Sequence, residues 1–176
     1  MDKIILIGFR CVGKTTIGKK LAEVLEWKFL DLDEEIQKKL GKTIKEIVKE
    51  KGWGYFRKIE KEEMKKLREL KEIVIALGGG SVLHQEEMEN LLENSLVVWL
   101  HSSPEVIIKR IKEDEKTSFQ RPSLKNLDLE KEIFEVLKER IPLYEKFHNF
   151  RIDTDNLNIE SAVKEILEKL SQKGKR

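Results

Sequence analysis

Residues 8–15 place two glycines, a lysine and a threonine at the spacing of a phosphate-binding loop. The segment matches GxxxxGK[ST] and reads Gly8-Phe9-Arg10-Cys11-Val12-Gly13-Lys14-Thr15. The glycines allow backbone N–H groups to curl around phosphate oxygens, and a helix N-terminus after the loop adds partial positive charge. Lys14 is expected to reach the β- and γ-phosphates, and the Thr15 hydroxyl to ligate Mg²⁺. The loop therefore predicts a nucleoside triphosphate site.

Two carboxylates follow the next apolar segment along the chain. Asp31 and Asp33 are separated by Leu32, so in an extended strand both side chains would project to one side. Beside a triphosphate they predict a Mg²⁺-associated group and a group that holds an acceptor hydroxyl. The alternative is a helix start, with an N-cap and a first-turn acid ahead of Glu34 and Glu35.

Glycines and arginines supply the other candidate binding groups. Gly78, Gly79 and Gly80 allow a ligand to lie against the backbone. Arginine grips carboxylate or phosphate with a planar fork that lysine lacks, and this chain mostly uses lysine. Four arginines are therefore candidates, each with solvated surface as its alternative: Arg57, Arg110, Arg121 and Arg140. Residues 113–125 lack apolar periodicity and resemble a lid that carries Arg121 over the phosphates.

Apolar strands alternate with amphipathic helices over the whole chain. Five strands are predicted, the last being the weakest: 3–7, 27–31, 73–77, 96–100 and 149–152. Helices are predicted over 16–25, 34–40, 44–51, 55–71, 85–93, 104–112, 129–146 and 159–170. Continuous apolar strands between helices predict a three-layer α/β/α domain around a parallel sheet. Ligands bind beyond the carboxyl ends of such strands, where the candidate residues lie.

Length, charge and cysteine content indicate a single domain and exclude several classes of protein. With 176 residues, we expect a single domain spanning 1–176. The net charge is only +2 although 39% of residues are charged, so no nucleic-acid-binding face is predicted. No apolar run reaches the length of a membrane span, and Met1 leads directly into a strand without a signal peptide. Cys11 is the only cysteine, which excludes an internal disulfide and fits a cytoplasmic protein.

Six motifs taken in order resemble the shikimate kinase family, in the nucleoside-monophosphate-kinase-like branch of phosphate-loop proteins. The resemblance covers residues 1 to about 170. The motifs are Gly8 to Thr15 with Thr16-Ile17-Gly18, Asp31-Leu32-Asp33, Phe56-Arg57-Lys58-Ile59-Glu60, Gly78-Gly79-Gly80, Arg121-Pro122, and Arg140-Ile141-Pro142-Leu143-Tyr144. The resemblance implies a five-stranded parallel sheet in the order 2-3-1-4-5. It also implies ATP-dependent phosphorylation of the 3-hydroxyl of shikimate, in aromatic amino-acid biosynthesis, by a monomer.

The resemblance also implies roles for individual residues. Lys14, Asp33 and Arg121 would be catalytic, with Asp33 orienting or deprotonating the attacking hydroxyl. Thr15 would ligate Mg²⁺, and Asp31 would hold one of its waters. Shikimate would contact Asp33, Arg57, Gly78, Gly79, Gly80 and Arg140. The shikimate-binding subregion would cover about residues 33–60. ATP would contact Gly8, Arg10, Cys11, Val12, Gly13, Lys14, Thr15, Thr16, Arg110 and Arg121, with Asp153-Thr154-Asp155 flanking adenine.

Two residues depart from the family pattern, and rival functions share the loop. Cys11 stands where the family commonly has Gly, and Trp53 where it usually has Glu. A gluconate kinase would lack two arginines placed for an acceptor carboxylate, and a nucleoside monophosphate kinase would need a nucleobase pocket. A guanine-binding regulatory switch would carry an Asn-Lys-x-Asp signature, which is not in this sequence. A binding-only module is the remaining alternative.

Overall fold

The sheet of this protein is parallel, and its order is β2-β3-β1-β4-β5. The computed structural model describes residues 2–114, 128–156 and 158–173. The strands are β1 (Lys3–Ile7), β2 (Lys28–Asp31), β3 (Ile73–Ala76), β4 (Ser95–His101) and β5 (Phe150–Asp153). β1 is paired with β3 on one side and β4 on the other, and it is buried along its whole length. The predicted fold class and strand order are confirmed, and no strand end differs from its predicted position by more than one residue.

Helices cover both faces of the sheet. They are α1 (Lys14–Leu25), α2 (Leu32–Leu40), α3 (Ile44–Lys66), α4 (Gln85–Leu92), α5 (Pro104–Glu113), α6 (Leu129–Phe147) and α7 (Ile159–Lys173). Side chains alternate along β1, so Ile4 and Leu6 join the core under α1, α5 and α7. Ile5 and Ile7 join the opposite core, under α2, α3 and α4. This is the predicted three-layer arrangement.

The structure agrees with two helical segments here, as predicted over 44–51 and 55–71. Helical backbone, labelled α3, runs from Ile44 to Lys66 with one non-helical residue between the two segments. Gly52 interrupts it with a φ of 82°, a conformation that glycine adopts without the steric cost of a Cβ. A short 3-10 helix, Leu67–Glu69, then leads towards β3. The break at Gly52 therefore separates the two predicted helical segments, and the second ends at Lys66 rather than at residue 71.

None of the helices within residues 2–114, 128–156 and 158–173 combines the length and apolarity that a bilayer span requires.

Candidate active site

Three motifs meet at the carboxyl ends of neighbouring strands. The phosphate loop follows β1, Asp31 ends β2, and Gly78–Gly80 follow β3. β3 lies between β2 and β1 in the sheet, so the topology brings these segments side by side. This edge of a parallel α/β sheet is where ligands bind, as the sequence predicted.

The phosphate loop curls through left-handed backbone conformations. Gly8 and Gly13 have φ values of 140° and 96°, and a Cβ on Gly8 would overlap the Leu100 carbonyl oxygen. Cys11 adopts a φ of 63° in place of the usual glycine, so the loop tolerates a side chain there. The ammonium of Lys14 donates to the carbonyl oxygens of Gly8 and Phe9, at 2.8 and 2.7 Å. These bonds hold its charge over the loop.

A cavity of about 330 Å³ opens over the loop. Lys14, Thr15 and the exposed Thr16 line it. The side chain of Val12 is buried, so only the backbone of Val12 could contact a ligand. Arg10 reaches the edge of the cavity and pairs with Glu132 of α6 at 3.6 Å. The predicted nucleotide-binding residues of the loop are thus brought together around one space.

Thr15 and Asp31 lie in direct contact. The Thr15 hydroxyl donates to Oδ2 of Asp31 at 2.7 Å, and Oδ1 of Asp31 accepts from the backbone N–H groups of Asp33 and Glu34. Asp31 is therefore the N-cap of α2, which begins at Leu32. The expectation that Asp31 and Asp33 share one side of a strand is wrong, because Asp33 lies in the first helical turn. The alternative of a helix start describes the geometry.

Asp33 nevertheless lies where the second carboxylate was expected. It is largely buried and lines both the loop cavity and a second pocket beyond β3. Its Oδ1 lies 2.8 Å from the position that a Cβ on Gly78 would take. A carboxylate at this boundary can contact a group in either space.

The second pocket brings together the predicted acceptor residues. Arg57 of α3 and Arg140 of α6 line it with Asp33 and the three glycines. Arg140 is 7% exposed. Burial lowers the pKa of Arg140, and the nearby positive charge of Arg57 acts in the same direction. Two cations at one buried pocket favour an anionic ligand.

Two of the three glycines leave space for charged side chains that a Cβ would displace. A Cβ on Gly80 would overlap the guanidinium of Arg57, and one on Gly78 would stand 2.8 Å from the carboxylates of both Asp33 and Glu60. A Cβ on Gly79 would stand 3.6 Å from Nη1 of Arg140. Gly78 and Gly80 therefore let three charged side chains approach the backbone, whereas a Cβ on Gly79 would make only ordinary van der Waals contacts.

Sequence reasoning assigned no role to Glu60, whose side chain is completely buried. Its Oε2 accepts from Nη1 of Arg57 at 2.6 Å, and its Oε1 accepts from the Ser81 hydroxyl at 2.8 Å. Burial would raise the pKa of Glu60, but the hydrogen bond from His84 and the charge of Arg57 outweigh it and leave the pKa lowered. The signal was present, since Arg57 and Glu60 are three residues apart on a helix.

Tyr144 supports the pocket from behind Gly79, and Trp53 lines it. Tyr144 donates its hydroxyl to the Gly79 carbonyl oxygen at 2.5 Å, and burial raises its pKa to about 12. It lies one helical turn after Arg140, which is the signal that placed it on the same face. The ring centroids of Trp53 and Phe56 each lie 5.4 Å from Cζ of Arg57. Trp53, which departs from the family pattern, therefore packs against the acceptor-side arginine.

The adenine-side candidates form a structural junction. Arg110 donates to the Thr154 carbonyl oxygen at 2.6 Å and to the Cys11 carbonyl oxygen at 3.3 Å. Asp155 accepts from the hydroxyl of Ser102 and from the N–H of Ser103. Arg110 thus joins the phosphate loop to the segment after β5, and its contact with adenine stays a prediction. Arg121 and most of the predicted lid, 113–125, lie outside the described residues.

Comparison with known proteins agrees with this geometry. The family model for shikimate kinase matches residues 10–171. A shikimate kinase from Caldanaerobacter subterraneus is 41% identical over 167 residues, covering 95% of each chain, and one from Persephonella marina is 40% identical, covering 95% of this chain and 98% of that one.

Solved structures agree as well. Shikimate kinase from Acinetobacter baumannii, in complex with shikimate, has a TM-score of 0.89 at 32% identity, covering 98% of this chain and 94% of that one. The Aquifex aeolicus shikimate kinase has a TM-score of 0.82 at 37% identity, covering 98% of both chains. A gluconokinase from Sinorhizobium meliloti, at 19% identity and a TM-score of 0.60, shares the fold alone. By sequence and by structure, this chain belongs to the shikimate kinase family.

Proposed function

We propose that this protein transfers the γ-phosphoryl group of ATP to the 3-hydroxyl of shikimate, forming shikimate 3-phosphate in aromatic amino-acid biosynthesis. The observation that carries the proposal is the pair Arg57 and Arg140 in a pocket that shares Asp33 with the phosphate-loop cavity. Shikimate has one carboxylate and three ring hydroxyls. Two guanidinium groups and a carboxylate at the boundary match that distribution of charge and polarity.

The two spaces have different proposed roles: the acceptor pocket binds shikimate, and the loop cavity binds ATP. Arg57 and Arg140 bind the acceptor carboxylate, and the exposed backbone of Gly78–Gly80 lets the ring lie close. Asp33 accepts a hydrogen bond from the 3-hydroxyl and orients it towards the phosphate loop. The hydroxyl oxygen attacks the γ-phosphorus, the bond to the bridging oxygen of ADP breaks, and Asp33 accepts the proton.

Charge neutralisation supplies the other part of catalysis. The transferring phosphoryl group spreads negative charge over its oxygens, and a preorganised cation stabilises that charge. Lys14 is held over the loop for this purpose by two backbone carbonyls. We propose that Arg121 adds a second cation when segment 113–125 closes as a lid, and that Arg110 supports the adenine side.

The pair Thr15 and Asp31 fits a magnesium site. A hydroxyl and a carboxylate oxygen 2.7 Å apart, beside the loop, are hard oxygen ligands of the kind Mg²⁺ prefers. Thr15 would coordinate the ion, and Asp31 would hold one of its waters. When bound, Mg²⁺ neutralises charge on the β- and γ-phosphates. Among the described residues no cluster of three His, Cys, Asp or Glu side chains could hold a metal, in keeping with a site completed by phosphate oxygens.

We further propose that the chain acts as one cytoplasmic domain and as a monomer. In support of a single domain, the loop cavity and the acceptor pocket share Arg10 and Asp33. ATP and shikimate are the proposed partners, and neither nucleic acid nor membrane is required. Sedimentation at enzyme concentrations used in the assay tests the oligomeric state.

A coupled assay of ADP release tests the function. With ATP and Mg²⁺, we expect turnover with shikimate and only background ATP hydrolysis with gluconate or nucleoside monophosphates. Phosphorus and proton NMR of the product should place phosphate on the 3-hydroxyl. Equal turnover with gluconate, or no turnover with shikimate, would contradict the proposal.

A further inference from the structure

His84 contacts the acceptor pocket through Glu60. Its Nε2 lies 3.0 Å from Oε2 of Glu60, the same oxygen that accepts from Arg57. The His84 side chain is only 11% exposed. No sequence pattern pointed to His84, so this contact is a finding of the structure.

The backbone fixes where the imidazole can lie. After Gly80 the chain forms a 3-10 helix, Ser81–Leu83, and the N–H of His84 donates to the Ser81 carbonyl oxygen at 3.0 Å. The carbonyl oxygen of His84 accepts from the N–H of Met88 at 2.9 Å in the first turn of α4. His84 is therefore anchored on both sides, directly downstream of the glycines that face the pocket.

The hydrogen bonds to Glu60 fix its carboxylate in the pocket wall. An ionised carboxylate only accepts, so Nε2 of His84 must carry the proton it donates. Ser81 binds Oε1, while His84 and Arg57 share Oε2. Without the bond from His84, the carboxylate has one anchor fewer and can rotate, taking Nη1 of Arg57 with it. The Nη2 atom of Arg57 lies against Gly80, so such a rotation would turn the guanidinium relative to the acceptor.

We propose that His84 is a positioning residue, which through Glu60 holds Arg57 in the orientation that binds the acceptor carboxylate. Among the described residues, those that line the acceptor pocket and the loop cavity do not include His84. The proposal rests on the proposed function, since it concerns the affinity of that site for shikimate. It predicts an effect on shikimate binding that is separate from the chemical step and from ATP.

The test compares His84→Leu with His84→Gln. Leucine removes the donor, whereas the amide of glutamine reaches the position of Nε2 and keeps it. We expect His84→Leu to raise the KM for shikimate about tenfold, in line with loss of a hydrogen bond to a charged group, with kcat and the KM for ATP within twofold. His84→Gln should restore the KM for shikimate to within about threefold of the unsubstituted protein. If His84→Leu does not fold, His84→Asn, whose amide is too short to reach, replaces it.

Two controls separate positioning from general destabilisation. His148→Leu removes a histidine whose Nδ1 bonds to backbone carbonyls of α6 at 2.9 and 3.1 Å, and it should leave the KM for shikimate unchanged. In an Arg57→Lys background, His84→Leu should add less than twofold, because the fork that it positions is already gone.

The outcomes distinguish the two proposals. If the unsubstituted protein does not phosphorylate shikimate, the proposed function and this inference both fail. If it does, the inference alone is overturned by a normal KM for shikimate in folded His84→Leu, by no rescue in His84→Gln, or by full additivity with Arg57→Lys.

Discussion

Gly80 lies so close to Arg57 that a methyl group on its Cα would overlap Nη2 of the guanidinium. Gly80 has a φ of −102°, a conformation open to any residue, so the need for glycine is spatial. We expect Gly80→Ala to displace Arg57 and raise the KM for shikimate about ten- to a hundredfold, the worth of a charge-assisted contact. Gly54→Ala is the matched control, since a Cβ there meets nothing within 4 Å. It should leave the KM unchanged and raise helix stability by up to about 1 kcal/mol. Equal KM values for the two variants would refute the spatial role of Gly80.

Arg57→Lys and Arg140→Lys test the fork rather than the charge. Lysine keeps the cation but loses the planar pair of donors, so each change should raise the KM for shikimate about ten- to a hundredfold. ATP affinity should change little. Arg68→Lys, at an exposed pair with Glu93, is the control. Normal shikimate binding by both variants, or equal phosphorylation of an analogue lacking the carboxylate, would favour a neutral acceptor instead.

Asp33→Asn should affect turnover more than binding. The amide keeps the size of the side chain and some hydrogen bonding, but it cannot accept the proton of the attacking hydroxyl. We expect kcat to fall about a hundredfold or more, with a smaller change in the KM for shikimate. Glu35→Gln, on the exposed side of α2 and paired with Lys38, should leave kcat and the KM for shikimate unchanged. An effect confined to the KM would limit Asp33 to binding.

Lys14→Ala should lower kcat by at least about a hundredfold. The ammonium acts on charge that develops in the transition state, so removing it costs rate rather than ground-state affinity. Lys20→Ala, at an exposed pair with Glu23 on the same helix, provides the comparison. Near-normal turnover of a folded Lys14→Ala protein would contradict the assignment of Lys14 as the cation that stabilises the transferring phosphoryl group.

Arg121→Ala tests the lid predicted over residues 113–125. If Arg121 contacts the phosphates only after closure, kcat should fall well beyond any change in shikimate affinity. Lys125→Ala removes a charge from the same segment and should have a small effect. Hydrogen exchange and proteolysis should slow in this segment when both ligands bind. Equal rates with and without ligands would mean that no lid closes.

The sequence alone predicted the fold class, which the structure confirms, and it placed the candidate residues at one edge of the sheet. It did not predict the contacts within the acceptor pocket. The phosphate loop, the apolar strands and the glycine triplet are local patterns, and resemblance supplied the strand order. Helical spacing placed Glu60 beside Arg57 and Tyr144 beside Arg140. Their contacts with Ser81, His84 and Gly79 arise only when distant segments meet, which no local pattern encodes. Asp33 illustrates the intermediate case. Its importance followed from its neighbours, while its helical geometry depended on Asp31 turning the chain as an N-cap.

The left-handed backbone at Cys11 has a consequence for which sequences this loop can accept. A residue with a side chain costs about 1–2 kcal/mol of conformational free energy in this left-handed region, yet Cys11 adopts it. Its carbonyl oxygen is held from outside the loop by Arg110. Mutational tolerance at this position should therefore follow the ease of adopting a positive φ, with Asn and Asp accepted more readily than β-branched residues. At Gly8 the Leu100 carbonyl oxygen would overlap any Cβ, so we expect no other residue to be tolerated there.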